Sequence, residues 1–257
     1  RASGTVVYEA DRRRAHVTVD LARMQASGRY RGVPLPIEVT GGAVRYAGDR
    51  VAVRGLDGTL GRSQIRGGAL ELALGAAPLV HAASGDAVVV LDEIYPWLAS
   101  LEGLRRPTSA IPSESGTVAV RLVRLSGPLN QPAALDYEAV LRPQQVRIAG
   151  PTLPAPVTVT GGELRVTPRT VALDRLDAAM LDARIVASGT IADYASDEPQ
   201  LDLTLADGSA GERTLDWART RWQLPLKVMP RTPLTLASGR LQRAGGQAAP
   251  LAAQASL

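Results

Sequence analysis

Apolar and polar residues alternate along most of this chain. Val17, Val19 and Leu21 are spaced by Thr18 and Asp20, and Leu35, Ile37 and Val39 by Pro36 and Glu38. Val51 and Val53 follow the same rule, as do Leu70 and Leu72 around Glu71. The pattern returns at Val118-Val120-Leu122, Val157-Val159, Leu164-Val166, Val171-Leu173 and Leu201-Leu203-Leu205. Successive side chains of a strand point to opposite faces, so a period of two predicts half-buried strands with one apolar and one polar face. Gly41-Gly42, Gly161-Gly162 and Gly67-Gly68 punctuate these runs as turns or bulges.

Two segments have a helical period instead. Leu91, Ile94, Leu98, Leu101 and Leu104 predict an amphipathic helix in which Pro96 is tolerated only if the first turn begins near Asp92 or Glu93. Leu215, Trp217, Ala218 and Trp222 predict another from Gly211. Each helix is expected to lie against the sheet or over its edge. Trp97 and Trp217 then anchor the helices or, alternatively, touch a ligand beneath a lid. Connectors rich in proline follow, at Pro107 and Pro112 and at Pro225, Pro230 and Pro233.

Residues 34–65 recur at 154–185 without a gap, with 12 of 32 positions identical, and the register continues to Trp97/Trp217. Ser-Gly-x-Val or Ser-Gly-x-Leu stands at Ser3, Ser115 and Ser238. This spacing predicts repeat units at 3–114 and 115–237, with the start of a third at 238–257. A repeat array implies an extended surface more than a single catalytic pocket. The expected fold is mainly β, an elongated sheet folded over on itself as a sandwich, a solenoid or a curled trough, because two short helices cannot cover so many strands.

Composition adjusts this picture modestly. The chain has no Phe, three Trp and six Tyr, so small aliphatic residues supply its buried surface. Of 29 basic residues only Lys227 is lysine, a bias that GC-rich coding also produces, so the positive balance is weak evidence for an anionic partner. Arg12 to Arg14 is the only tight basic run and no aromatics interleave with it, which argues against nucleic acid. The absence of cysteine excludes disulfides and thiolate chemistry. No apolar run reaches the ~18 residues of a membrane span. The chain reads as an internal fragment, with any anchor expected in a preceding segment.

Candidate chemistry is sparse. His16 falls in an alternating strand and His81 in an expected loop, with no metal-ligand spacing, and no nucleophile elbow or phosphate loop occurs. Asp57 and Asp177 match across the repeat and read as turn or cap residues. Asp182 with Arg184, and Arg169 with Asp174, read as exposed ion pairs. No enzyme, metal or cofactor is expected.

Several motifs carry a family resemblance: Ser115-Gly116-Thr117-Val118, Leu125 to Leu129, Pro132 to Tyr137, Leu153 to Gly162, and Leu60 to Ser63. With the segment from Trp217 through Pro225, Pro230 and Pro233, they resemble the AsmA-like family of Gram-negative envelope proteins, the TamB- and YhdP-related group. The Leu60-Gly61-Arg62-Ser63 turn departs from its pattern in the second unit, as Met180-Leu181-Asp182-Ala183. The resemblance implies a periplasmic protein whose apolar trough binds or conducts phospholipid acyl chains between inner and outer membranes. Contacts with those membranes, and with envelope assembly proteins, are expected through other parts of the chain. The lipid-binding face would comprise Val17, Val19, Leu21, Leu35, Ile37, Val39, Val51, Val53, Leu70, Leu72, Val157, Val159, Leu164, Val166, Val171, Leu173, Leu201 and Leu203. Two alternatives stay open: a closed-core module assisting outer-membrane protein assembly, and a surface β-solenoid adhesin.

Overall fold

The computed structural model describes residues 3–11, 14–29, 32–100, 113–150, 153–196, 198–222, 232–243 and 252–256. They form fifteen strands and two α-helices. The first strands are β1 (Ser3–Asp11), β2 (Arg14–Ala22), the short β3 (Ala26–Gly28), β4 (Ile37–Ala47), β5 (Arg50–Leu60), β6 (Ser63–Ala73) and β7 (Leu79–Val90). Helix α1 (Leu91–Ser100) follows, then β8 (Ser113–Pro128), a single 3-10 turn at Pro132–Ala134, and β9 (Asp136–Ala149). The remainder is β10 (Val157–Val166), β11 (Thr170–Met180), β12 (Ala183–Ala192), β13 (Gln200–Ala210), α2 (Glu212–Trp222), β14 (Leu234–Arg243) and β15 (Ala252–Ser256).

Hydrogen-bonded neighbours follow chain order, with β3 alone off the path, against β4. The path does not close, and β1 and β15 are its ends. By contacts the chain divides into two compact units, Arg1–Trp97 with Ala119–Val140, and Leu98–Val118 with Leu141–Leu257. The expected join at 114/115 lies inside β8.

The glycine pairs are bulges within strands. In β4, Ile37 and Val39 are half-buried between exposed Glu38 and Thr40, while Val44 and Tyr46 are half-buried between exposed Ala43 and Arg45. The phase shifts by one residue at Gly41-Gly42, where Gly42 has φ +131° and the register with β5 is irregular. A β-carbon there would come within 3.3 Å of the backbone of Gly55 and Leu56. Beside it β5 shifts phase at Gly55 (φ +61°) and β6 at Gly67 (φ +59°). An extra residue at a bulge restarts the alternation, so the apolar residues on both sides of it reach the same face. In the second unit positive φ falls on Gly162 and Gly189 and, outside glycine, on Arg175 and Asp207.

Some local expectations need correction. Leu35 lies in a bend before β4, because Pro34 and Pro36 lack the N–H groups that a ladder needs. Helix α1 begins at Leu91, so Pro96 sits in its second turn and the bond to the Asp92 carbonyl is lost. His81 is exposed in β7, not in a loop. Leu101, Leu104, Pro107, Pro112, Pro225 and Pro230 lie outside the described residues, as do the side chains of Val17, His16 and Trp222.

Candidate functional site: an uncovered apolar face

Strand register assembles the predicted residues into rows. In the first unit Val19, Tyr46, Val51, Leu72 and Val80 are successive cross-strand partners, and Leu21, Val44, Val53, Leu70 and Ala83 form the next row. Beyond the bulges Val39, Gly58, Ile65 and Ala87 continue the face, with Ile37 opposite Leu60. Val17 is at the same phase of β2, opposite Tyr8. Leu35 has no ladder position, although it is half-buried.

The second unit has apolar rows of its own. One row runs Val166, Val171, Ile191, Leu201 and Arg243, and the next Leu164, Leu173, Gly189, Leu203 and Leu241. Beyond the bulges Val159, Ala178 and Ile185 form a row beside Met180, Ala183, Ala210 and Leu234, and Val157 lies at the phase of Val159. The reverse faces are polar. Asp20 pairs with Arg45 at 3.6 Å, and Asp202 with Arg240 at 3.1 Å.

The apolar rows are mostly half-buried rather than closed off. Among the described residues only Val80, Ile94, Tyr95, Val118, Val146, Val159 and Ala218 are buried hydrophobics. An apolar face left this open marks a site of interaction.

Each helix is tied to the hairpin turn of its unit. In the first, the Arg62 backbone N–H and Nε both donate to the Glu93 carboxylate at 2.7 Å. The buried Ser63 hydroxyl accepts from Val90 N–H at 3.0 Å, and the Trp97 indole donates to the Gly32 carbonyl at 3.1 Å. In the second, Asp182 accepts from the N–H groups of Arg213 and Thr214, each at 2.9 Å, and from the Thr214 hydroxyl at 2.7 Å. Donation from the Arg62 backbone, then from its side chain, holds Glu93 below the usual carboxylate range. The Thr214 hydroxyl does so most strongly for Asp182.

Asp182 therefore caps α2 and forms no pair with Arg184, which donates instead to Asp177 at 2.6 and 2.9 Å. Arg169 and Asp174 do not pair with each other. Asp57 lies within β5 and braces a bulge by accepting from Gly67 N–H at 2.9 Å.

Sequence reasoning missed a pocket of about 440 Å³ in the second unit, where α2 meets the sheet. Ala178, Ala183, Gly208 and Ala210 line it together with Leu153, Val157, Met180, Ile185, Leu215, Leu234 and Leu236, and Ala179, Arg184, Ser209 and Thr214 complete the lining. Small residues on an apolar strand phase were the available signal, but only register brings them together.

Among the described residues no group of three or more His, Cys, Asp or Glu could hold a metal ion, and no helix is long and apolar enough to cross a membrane. No protein-family model, curated protein or solved structure matches this chain.

Proposed function

We propose that this chain is a segment of an AsmA-like envelope protein whose apolar sheet face holds phospholipid acyl chains and lets them slide between inner and outer membranes. The observation that carries the reading is the uncovered apolar face in each unit. Water contact costs a lipid tail ~0.8 kcal/mol per CH₂, and an aliphatic surface removes that cost without specific chemistry. Apart from Tyr46 and Arg243, the apolar rows offer a moving chain no side-chain donor or acceptor at which to stop. The polar reverse face suits an aqueous compartment, and the periplasm fits.

The finer architecture, tandem units in a curled trough with one amphipathic helix each, belongs to the same proposal. Element positions support it: β5 starts at Arg50 and β11 at Thr170, β6 at Ser63 and β12 at Ala183, each pair 120 residues apart.

Photo-crosslinking residues at Val39, Leu72, Leu173 and Leu203 should capture phospholipid in cells, and those at Glu71, Arg165 and Asp202 should not. Equal capture from both phases removes the support for a lipid face. Leu173→Asp should block passage, because a conduit fails at its narrowest energetic point. A second reading, assistance to outer-membrane protein assembly, draws on the unclosed strand path, whose ends can accept an added strand. Lipid-free protein that crosslinks client strands at β1 or β15 would favour it.

A further inference from the structure

We propose that the second unit contains a discrete stop for one lipid, with the methyl end of an acyl chain in the pocket beside α2 and an anionic headgroup on Arg243. This rests on the lipid-face reading and adds a resting position and a headgroup preference to it.

The pocket supplies the apolar end. Its volume of about 440 Å³ lies within the range of ligand sites, and its lining surface is almost wholly apolar. The first unit shows what such a space accepts. There Ile94 and Tyr95, on the first turns of α1, are buried. Their counterparts 120 residues on, Thr214 and Leu215, have less apolar bulk and are only half-buried. In the first unit these two helix residues are packed away, whereas in the second Leu215 borders an open pocket with room for a hydrocarbon chain.

Arg243 supplies the other end. It is the last residue of β14, opposite Leu201 on the apolar face, in a row that is otherwise aliphatic. Its Nε is buried and has no hydrogen-bond partner among the described residues. A guanidinium is always charged and presents donors in a fork that fits carboxylate or phosphate. A buried donor of this kind is costly to leave unmade.

The spacing fits a lipid. From Leu236 at the pocket to Arg243, β14 advances seven residues, about 23 Å. Half a bilayer, from chain end to headgroup, measures about 20–22 Å. Between these ends Gly239 faces Leu205 and Leu241 faces Leu203, an apolar track with a side-chain gap at the glycine.

The test is displacement of a fluorescent fatty acid from the full chain by palmitate, hexadecanol and decanoate. Wild type should prefer palmitate over hexadecanol by about tenfold, as one charge-assisted hydrogen bond provides. Arg243→Gln should abolish that preference while still binding hexadecanol. Leu215→Tyr, which supplies the residue found in the first unit, should reduce the advantage of palmitate over decanoate and keep the preference for the anion. Equal binding of palmitate and hexadecanol by wild type, or variants that change neither preference, would overturn the stop and leave the sliding face intact. Failure of wild type to bind any of the three would overturn both readings.

Discussion

Helices α1 and α2 are fastened to their sheets by the same contact with its chemistry reversed. In the first unit the hairpin turn supplies the donors, from Arg62, and the helix supplies the carboxylate of Glu93. In the second the turn supplies the carboxylate of Asp182, and the helix supplies the N–H groups of Arg213 and Thr214. Residues 62 and 182 are 120 apart, as are 93 and 213. What persists is a carboxylate at the N-terminus of the helix, where exposed N–H groups and the helix dipole favour negative charge. Which element carries it is free to change. The hydrophobic side of the contact differs more: Ile94 and Tyr95 are packed away, whereas Leu215 borders an open pocket.

The largest expected difference follows from that packing. Tyr95→Ala should destabilise the first unit by about 3–5 kcal/mol, the usual range for a buried aromatic. Leu215→Ala removes a side chain already beside empty space and should cost roughly 1–2 kcal/mol. Urea unfolding with amide exchange of each helix would measure both, and equal losses would end the claim that the two contacts differ in packing.

Gly61→Ala is next. Gly61 has φ +58°, and a β-carbon there would sit 2.4 Å from Glu93 Oε2. The left-handed conformation alone costs a non-glycine residue about 1–2 kcal/mol. Gly211→Ala displaces Asp182 without that backbone penalty and should cost less in the same unfolding measurement.

Leu181 occupies the place of Gly61 in the second turn, with φ +55°. Leu181→Gly should relieve strain and raise stability by up to about 1 kcal/mol, partly offset by the entropy of the unfolded glycine. A lower midpoint would show that the leucine side chain contributes more than its backbone costs.

The smallest effect is acid sensitivity, since these carboxylates are solvent-screened. Glu93 and Asp182 are both held below their ordinary values of 4.5 and 3.8. A depressed folded-state pKa contributes stability above the unfolded value, and that contribution is lost as pH falls through the folded value. Exchange protection of α1 and α2 should therefore weaken below about pH 4. Glu93→Gln should remove the dependence for α1 alone and Asp182→Asn for α2 alone.

The sequence made the apolar phase legible because alternation is a local property of each strand. Rows such as Val51–Leu72 and Leu173–Gly189 then required pairing, which no local pattern contains. Gly41-Gly42 signalled an interruption, but Arg175 and Asp207 adopt a left-handed conformation like that of Gly55 without a glycine to mark it. Asp182 and Arg184 looked like partners because they are near in sequence. In the sheet Arg184 stands opposite Ala179, so its diagonal neighbour is Asp177. The helix ties join residues 31 apart, too far for any local pattern to show. The pocket depends on four small residues from three strands, and size alone did not single them out.

The bulges also decide how this chain tolerates changes of length. In a plain strand, odd and even numbering sorts side chains by face from one end to the other. Here each bulge resets that parity, so Val39 and Val44 share a face although one number is odd and the other even. Deleting Gly42 would remove the extra residue and leave Val39 and Val44 four apart, so plain alternation would keep both on the aliphatic face. A one-residue deletion is thus absorbed at the bulge, whereas the same deletion in the regular stretch beyond it, with the bulge kept, becomes a frameshift of orientation.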